Sequence, residues 1–158
     1  MRDAPGARAV SAAAEKRRSR QGTGCLHLSR LVPRTCRFYS GEMWQVDIAP
    51  IVDWLRALDD DSREQVVAAV ELLEEHGPQL GRPLVDTVSG SRHRKMKELR
   101  PGSSGRSELR ILFAFDPARQ AVLLVAGDKS GNWKSWYRKN IPLADDLFDD
   151  HLRMLEGE

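Results

Sequence analysis

Four histidines (27, 76, 93 and 151) and two cysteines (25 and 36) are all that this 158-residue chain has of those types. They are scattered, with no His-Glu-x-x-His run and no Cys/His pair at metal-ligand spacing, so a protease-like or zinc-type centre has no support. No Gly-rich phosphate loop follows a strand pattern, and serine hydrolase signatures are missing. The cysteine spacing carries no redox signature, and no cysteine remains after residue 42, which fits a reducing compartment. No run approaches the roughly eighteen apolar residues of a membrane span, and no apolar h-region follows the N-terminal charges. A cytoplasmic protein with neither membrane anchor nor secretion signal is therefore expected.

The net charge of +2 conceals two unlike parts. Residues 1–42 hold nine Lys/Arg against three Asp/Glu, whereas 43–158 hold sixteen against twenty. A boundary near Met43 follows. The first part has no sustained apolar period and is rich in Ala, Arg, Ser and Gly, so it is expected to be disordered. Three origins stay open for it: a basic arm, an over-extended start upstream of Met43, or an Arg-rich, acid-poor mitochondrial transit peptide. The second part is long enough for one domain with a core of ordinary size.

Within 43–158 the periodicity predicts an α+β fold. Trp44 to Ile48 alternates as a half-buried strand. Pro50 opens a short helix carrying Ile51, Trp54, Leu55 and Leu58, which the Asp59-Asp60-Asp61 run ends. Ser62 with Gln65 makes a capping box for a second helix striped by Val66, Val70 and Leu73, and His76-Gly77-Pro78 stops it. The two helices pack as a hairpin, and its outer face is acidic from Asp53 to Glu75. Residues 77–93 are expected to be an ordered loop. Strands at Met96–Arg100, Glu108–Phe115 and Ala121–Ala126 then form an antiparallel meander. A helix over Trp133–Lys139 and another from Pro142 close the chain, with the acidic tail from Asp145 to Glu158 on a solvated face.

The chemistry is concentrated on the basic strands. From Arg92 to Arg110 there are seven Lys/Arg and two Glu. Cations held on rigid strands can clamp a phosphate without a metal. Alternation puts Leu109, Ile111, Phe113 and Phe115 on one face and Arg110, Leu112 and Ala114 on the other. A guanidinium so placed needs a partner, and both a ligand phosphate and Glu98 across the sheet remain open. Lys95 and Lys97 share a side with Leu99, opposite Met96, Glu98 and Arg100. Trp133, Trp136 and Tyr137, with Lys129 and Lys134, are either helix-packing groups or surfaces for base stacking and phosphate contact.

The strings "LLEEHGPQLGRPLVDTVSGSRHRKMKELR" and "LRILFAFDPARQAVLLVAGDKSGNWKSWY" resemble HigB-like toxins of the RelE/ParE superfamily, part of type II toxin–antitoxin systems. The likeness runs from Met43 to about Leu155. It implies a RelE-like fold: an N-terminal strand, a helical hairpin, an antiparallel sheet of about four strands and a C-terminal helix. It also implies ribosome-associated cleavage of mRNA by attack of a 2′-hydroxyl on the adjacent phosphate, with no metal or other cofactor. Arg100 and Arg110 match the family's strand arginines. Where RelE-like enzymes carry alternating lysines, Met96 and Glu98 stand here. Either a bulge brings Lys95 and Lys97 into phase, or Glu98 is itself the proton acceptor.

The catalytic candidates are accordingly Lys97, Glu98, Arg100, Arg110 and Tyr137, and the RNA-binding candidates Lys95, Lys129, Lys134 and Trp136. The resemblance also implies a cognate antitoxin with a helix-turn-helix domain. Two alternatives share the fold: a ParE-like toxin that binds gyrase without catalysis, and an inactive antitoxin-binding subunit.

Overall fold

A computed structural model describes residues 43–102 and 105–157. The basic extension 1–42, with both cysteines, lies outside the described residues, as does the middle of the Gly/Ser loop.

The chain forms a three-layer α+β domain. Strand β1 (Gln45–Asp47) leads through a 3-10 turn (Ala49–Ile51) into helices α1 (Val52–Ala57) and α2 (Asp60–His76). Strands β2 (Val85–Thr87), β3 (Lys97–Leu99), β4 (Leu109–Phe115) and β5 (Gln120–Asp128) follow, and helix α3 (Trp133–Glu156) closes the fold. The five strands stand in the order β1-β5-β4-β3-β2. The antiparallel meander is present from β2 to β5, but β1 pairs with β5 in parallel, so the sheet is mixed and has five strands rather than about four. The added strand β2 lies inside the segment expected to be loop. At three residues among prolines and glycines it is too short to show a period, and it exists because β3 offers it an edge.

Alternation along β4 is realised as expected. Leu109, Ile111 and Phe113 face α1 and α2, packing with Ile51, Leu55, Val66, Ala69, Leu73, Leu99 and Leu123. Leu112 and Ala114 face α3, packing with Met96, Val122, Leu124, Ile141, Ala144 and Phe148. A bulge lies between β4 and β5, where Leu112 pairs with Val125 but Phe113 with Leu123. The proposed bulge in the basic strand is not there: β3 keeps regular register with both neighbours.

Two helix boundaries differ from expectation. Asp59, not Ser62, caps α2, accepting a hydrogen bond from the Ser62 amide at 2.9 Å, while Ser62 is buried in the first turn. An aspartate one turn earlier is as good a cap, and burying Ser62 lengthens the contact with the sheet. At the other end Gly77 takes φ 53°, and a side chain there would meet the Trp44 ring at 2.2 Å, so the stop needs glycine for room as well as conformation. Arg63 donates to the carbonyls of Leu55, Arg56 and Leu58, satisfying the end of α1.

α3 is one helix of 24 residues that runs through Pro142, where two were expected. The apolar stripe Trp136, Tyr137, Ile141, Ala144 and Phe148 stays in phase across the proline, and sheet packing outweighs the lost backbone bond. The acidic tail is not all solvated. Asp145 is 2% exposed and accepts from the Ser91 hydroxyl at 2.5 Å and the Arg92 amide at 3.0 Å. Arg92 also pairs with Asp146 and Asp149, and His93 with Asp149. These bonds pin the segment before β3 to α3. Among the described residues no helix is long and apolar enough to cross a membrane.

Candidate functional site

The face of the sheet under the first turns of α3 collects four of the predicted residues. Glu98 points to this side from the middle of β3 and is 4% exposed. Its Oε1 accepts from Arg100 Nε at 2.7 Å, and from a second Arg100 nitrogen at 2.5 Å. Its Oε2 accepts from the Tyr137 hydroxyl at 2.5 Å. Arg100 also donates to Asp86 on β2 at 2.8 Å. A chain of charge-assisted hydrogen bonds therefore runs Asp86–Arg100–Glu98–Tyr137, joining three elements.

Arg110 enters from β4 beside this chain. It is not paired with Glu98: the residue opposite Glu98 is Leu112, two positions along. One guanidinium nitrogen donates to the Leu109 carbonyl at 2.7 Å, and Nε is buried with no partner. Opposite Arg110 on β5 is Gly127, whose missing side chain admits the Trp136 indole; a Cβ there would sit 2.7 Å from the indole nitrogen. Trp136 then packs edge-on to Tyr137 at 5.1 Å.

The electrostatics fix protonation. Burial pushes the Tyr137 hydroxyl up, the bond to Glu98 and its charge push further, and Arg110 opposes them, leaving a value of about 12. The phenol is protonated throughout the neutral range. Burial works against the Arg100 charge, yet the hydrogen bond to Glu98 and the carboxylates of Glu98 and Asp86 raise its pKa above the ordinary arginine value.

Of the remaining candidates, Trp136 and Lys129 border the cluster and the others lie outside it. Lys97 shares the side of Leu99 and pairs in register with Phe113, so it faces the α1–α2 layer, across the sheet from Glu98. Lys95 is exposed in the turn before β3. Lys129 stands over the Tyr137 ring at 5.8 Å with Glu108 3.6 Å away. Lys134 is exposed at the start of α3, and Trp136 is half-buried as helix packing. Asp86, missed in the sequence, gave no signal in a segment read as loop. Among the described residues no group of three or more His, Cys, Asp or Glu is placed to hold a metal ion. His93 and His151 are occupied by Asp149 and Asp116.

Chemically the cluster presents a fixed cation, Arg110, with an unused buried donor, next to a phenol that can give a proton. A second cation, Arg100, is already neutralised.

Comparison with known proteins gives this arrangement relatives. A family model described as Phage derived protein Gp49-like matches residues 53–149, which contain every candidate residue. "Putative toxin HigB2" of Mycobacterium tuberculosis (strain ATCC 25618 / H37Rv) is 60% identical over 113 residues, covering 72% of this chain and 56% of the relative. "Putative toxin HigB3" of the same strain is 53% identical over 104 residues, covering 66% and 89%. The matched part thus spans little more than half of the first relative's length.

Proposed function

The chain belongs to the Gp49-like family, and on that premise we propose that it is a HigB-like toxin of a toxin–antitoxin pair, a ribosome-associated, metal-independent endoribonuclease acting on mRNA in the cytoplasm. The toxin names of its relatives support the first half. The observation that carries the second is Arg110, a half-buried strand guanidinium outside the Asp86–Arg100–Glu98 ion pairs and beside the protonated Tyr137.

In the proposed reaction the 2′-hydroxyl attacks the adjacent phosphorus, and its proton passes to solvent, because Glu98 is 4% exposed and lies beneath Arg100 and Tyr137. The bond to the 5′-oxygen breaks, and Tyr137 gives that oxygen its proton. Arg110 neutralises charge on the five-coordinate phosphorus. Glu98 and Arg100 position Tyr137 and do not exchange protons with substrate. A cognate helix-turn-helix antitoxin holds the toxin inactive, and the two copurify through an interface of obligate size.

A second reading has one observation in its favour. Arg100 is consumed by Glu98 and Asp86, which leaves fewer cations for a phosphate and favours a gyrase-binding toxin or an inactive antitoxin-binding subunit. Induction followed by mapping of transcript 5′ ends separates the readings. The nuclease gives new ends that fall about 100-fold or more in Arg110→Ala. Full cleavage and growth arrest by that variant refutes the assignment of Arg110. DNA damage with intact transcripts establishes the gyrase reading, and absence of harm the inactive one.

A further inference from the structure

Of the tryptophans in the described residues, three have evident packing roles. Trp44 lies against Phe115 and under the Gly77 turn, Trp54 packs on the core, and Trp136 fills the space over Gly127. Trp133 belongs to neither core cluster and is 56% exposed, at the first residue of α3. A single exposed ring is ordinary by itself; what sets Trp133 apart is what stands beside it.

The surroundings are cationic. Lys134 Nζ stands 5.5 Å from the Trp133 ring centroid. Arg138 and Lys139 are exposed on the next turn of the helix, and Lys129 approaches the Tyr137 ring. Lys129 is also engaged with Glu108, 3.6 Å away. Trp133 is also next to the proposed chemistry: its ring centroid is 6.4 Å from that of Tyr137, whose hydroxyl is fixed on Glu98.

We infer that Trp133 is a stacking platform for an unpaired nucleobase of the RNA substrate, flanking the phosphate held at Arg110, with Lys134 and Arg138 following the backbone. An exposed aromatic ring with a cation over it, in a basic stretch of surface, is the composition that holds single strands, because every base has a π-face and every linkage a charge. A base stacked there belongs to a nucleotide adjoining the one whose phosphate Arg110 grips, so Trp133 sets the register of the strand. The inference rests on the nuclease reading for the position of the scissile phosphate, and on Trp133 and its charges for the platform itself.

The test uses the full-length toxin and a single-stranded oligonucleotide with 2′-O-methyl sugars, which binds but cannot be cut. Binding quenches tryptophan emission in the unmutated protein, and the quench is largely lost in Trp133→Phe, which keeps a stacking ring and near-normal affinity. Trp133→Ala binds on the order of 10- to 100-fold more weakly, with an unchanged dependence on salt, whereas Lys134→Ala flattens that dependence. On cleavable RNA, Trp133→Ala raises KM with kcat little changed. If Trp133→Ala binds and cuts RNA as the parent does, the platform is refuted while the nuclease stands. If the parent binds the oligonucleotide through Trp133 but cuts nothing, the nuclease reading falls and the platform survives. If Trp133→Ala loses the antitoxin and keeps RNA affinity, the ring belongs to a protein interface and the inference is overturned.

Discussion

The Tyr137 hydroxyl donates to Oε2 of Glu98 at 2.5 Å, linking the C-terminal helix to the third strand across 39 residues of sequence. This bond, with those from Arg100, holds Glu98 beneath its partners and leaves it 4% exposed.

Tyr137→Phe should keep the ring between Trp133, Trp136 and the sheet and remove the proton. Cleavage of mRNA is expected to fall on the order of 100-fold or more, the usual loss when a general acid is deleted, and the thermal midpoint to drop as well, since the buried Glu98 carboxylate loses a donor. A variant that cuts at the parental rate would mean that the leaving oxygen takes its proton elsewhere.

The pH dependence of stability has two limbs. Tyr137 is raised from 10.0 to about 12, so its contribution is complete below pH 10 and is lost as pH rises towards 12. Absorbance at 295 nm should show a phenol titrating near the upper value, and Tyr137→Phe should remove that step. On the acid side Asp86, Asp128 and Asp149 are lowered from 3.8. The amide of Thr87 is the main cause for Asp86. For Asp128 and Asp149 burial pulls the other way but is outweighed, by the Glu108 and Ser130 amides and by Arg92 and His93 respectively. Stability from these groups is complete above pH 3.8 and lost as pH falls through the lower folded values, so unfolding should set in below that point.

Glu98→Ala leaves the Tyr137 hydroxyl without its acceptor and Arg100 with Asp86 alone. Because Arg100 is one-third exposed, water can compensate in part, and a loss of about 1–3 kcal/mol in urea unfolding is expected. Glu98→Gln retains an acceptor for the phenol and should recover part of both stability and cleavage. If Ala and Gln were equally active, Glu98 would have no positioning role.

Gly127→Ala should push the Trp136 indole away from the sheet, since the new methyl would lie 2.7 Å from its nitrogen. Overpacking of this kind costs about 1–3 kcal/mol. Displacing Trp136 moves Tyr137 with it, so cleavage should fall although no charged group has changed. Thermal melts and cleavage rates read the two effects separately.

Asp145→Ala removes the buried acceptor of the Ser91 hydroxyl and the Arg92 amide. The unsatisfied donors cost about 1–3 kcal/mol, and amide exchange should quicken over residues 89–96. Ser91→Ala, which leaves the amide bond in place, should show a smaller change.

The periods of 2 and 3.6 residues were enough to place the strands β3 to β5, the helical hairpin and the two faces of β4, because each depends on neighbours within a turn or a pleat. They grouped Arg110 with Leu112 and Ala114, and Lys97 with Leu99, as the structure does; which group faces α3 was not readable. The wording of the basic strands led to the toxin relatives as well. Pairing was beyond such patterns. Whether Tyr137 reaches Glu98, whether β1 runs parallel to β5, and whether Asp145 is solvated depend on groups brought together from 39 to 75 residues apart. Even the choice of Arg100 over Arg110 for Glu98 was made by side-chain reach within the sheet. A three-residue strand such as β2 has no period of its own and forms only where another strand supplies an edge. Local sterics and the apolar pattern set the elements and their faces. The partners of each charge were settled by packing, when the sheet and α3 closed over them and excluded the water that would otherwise have served.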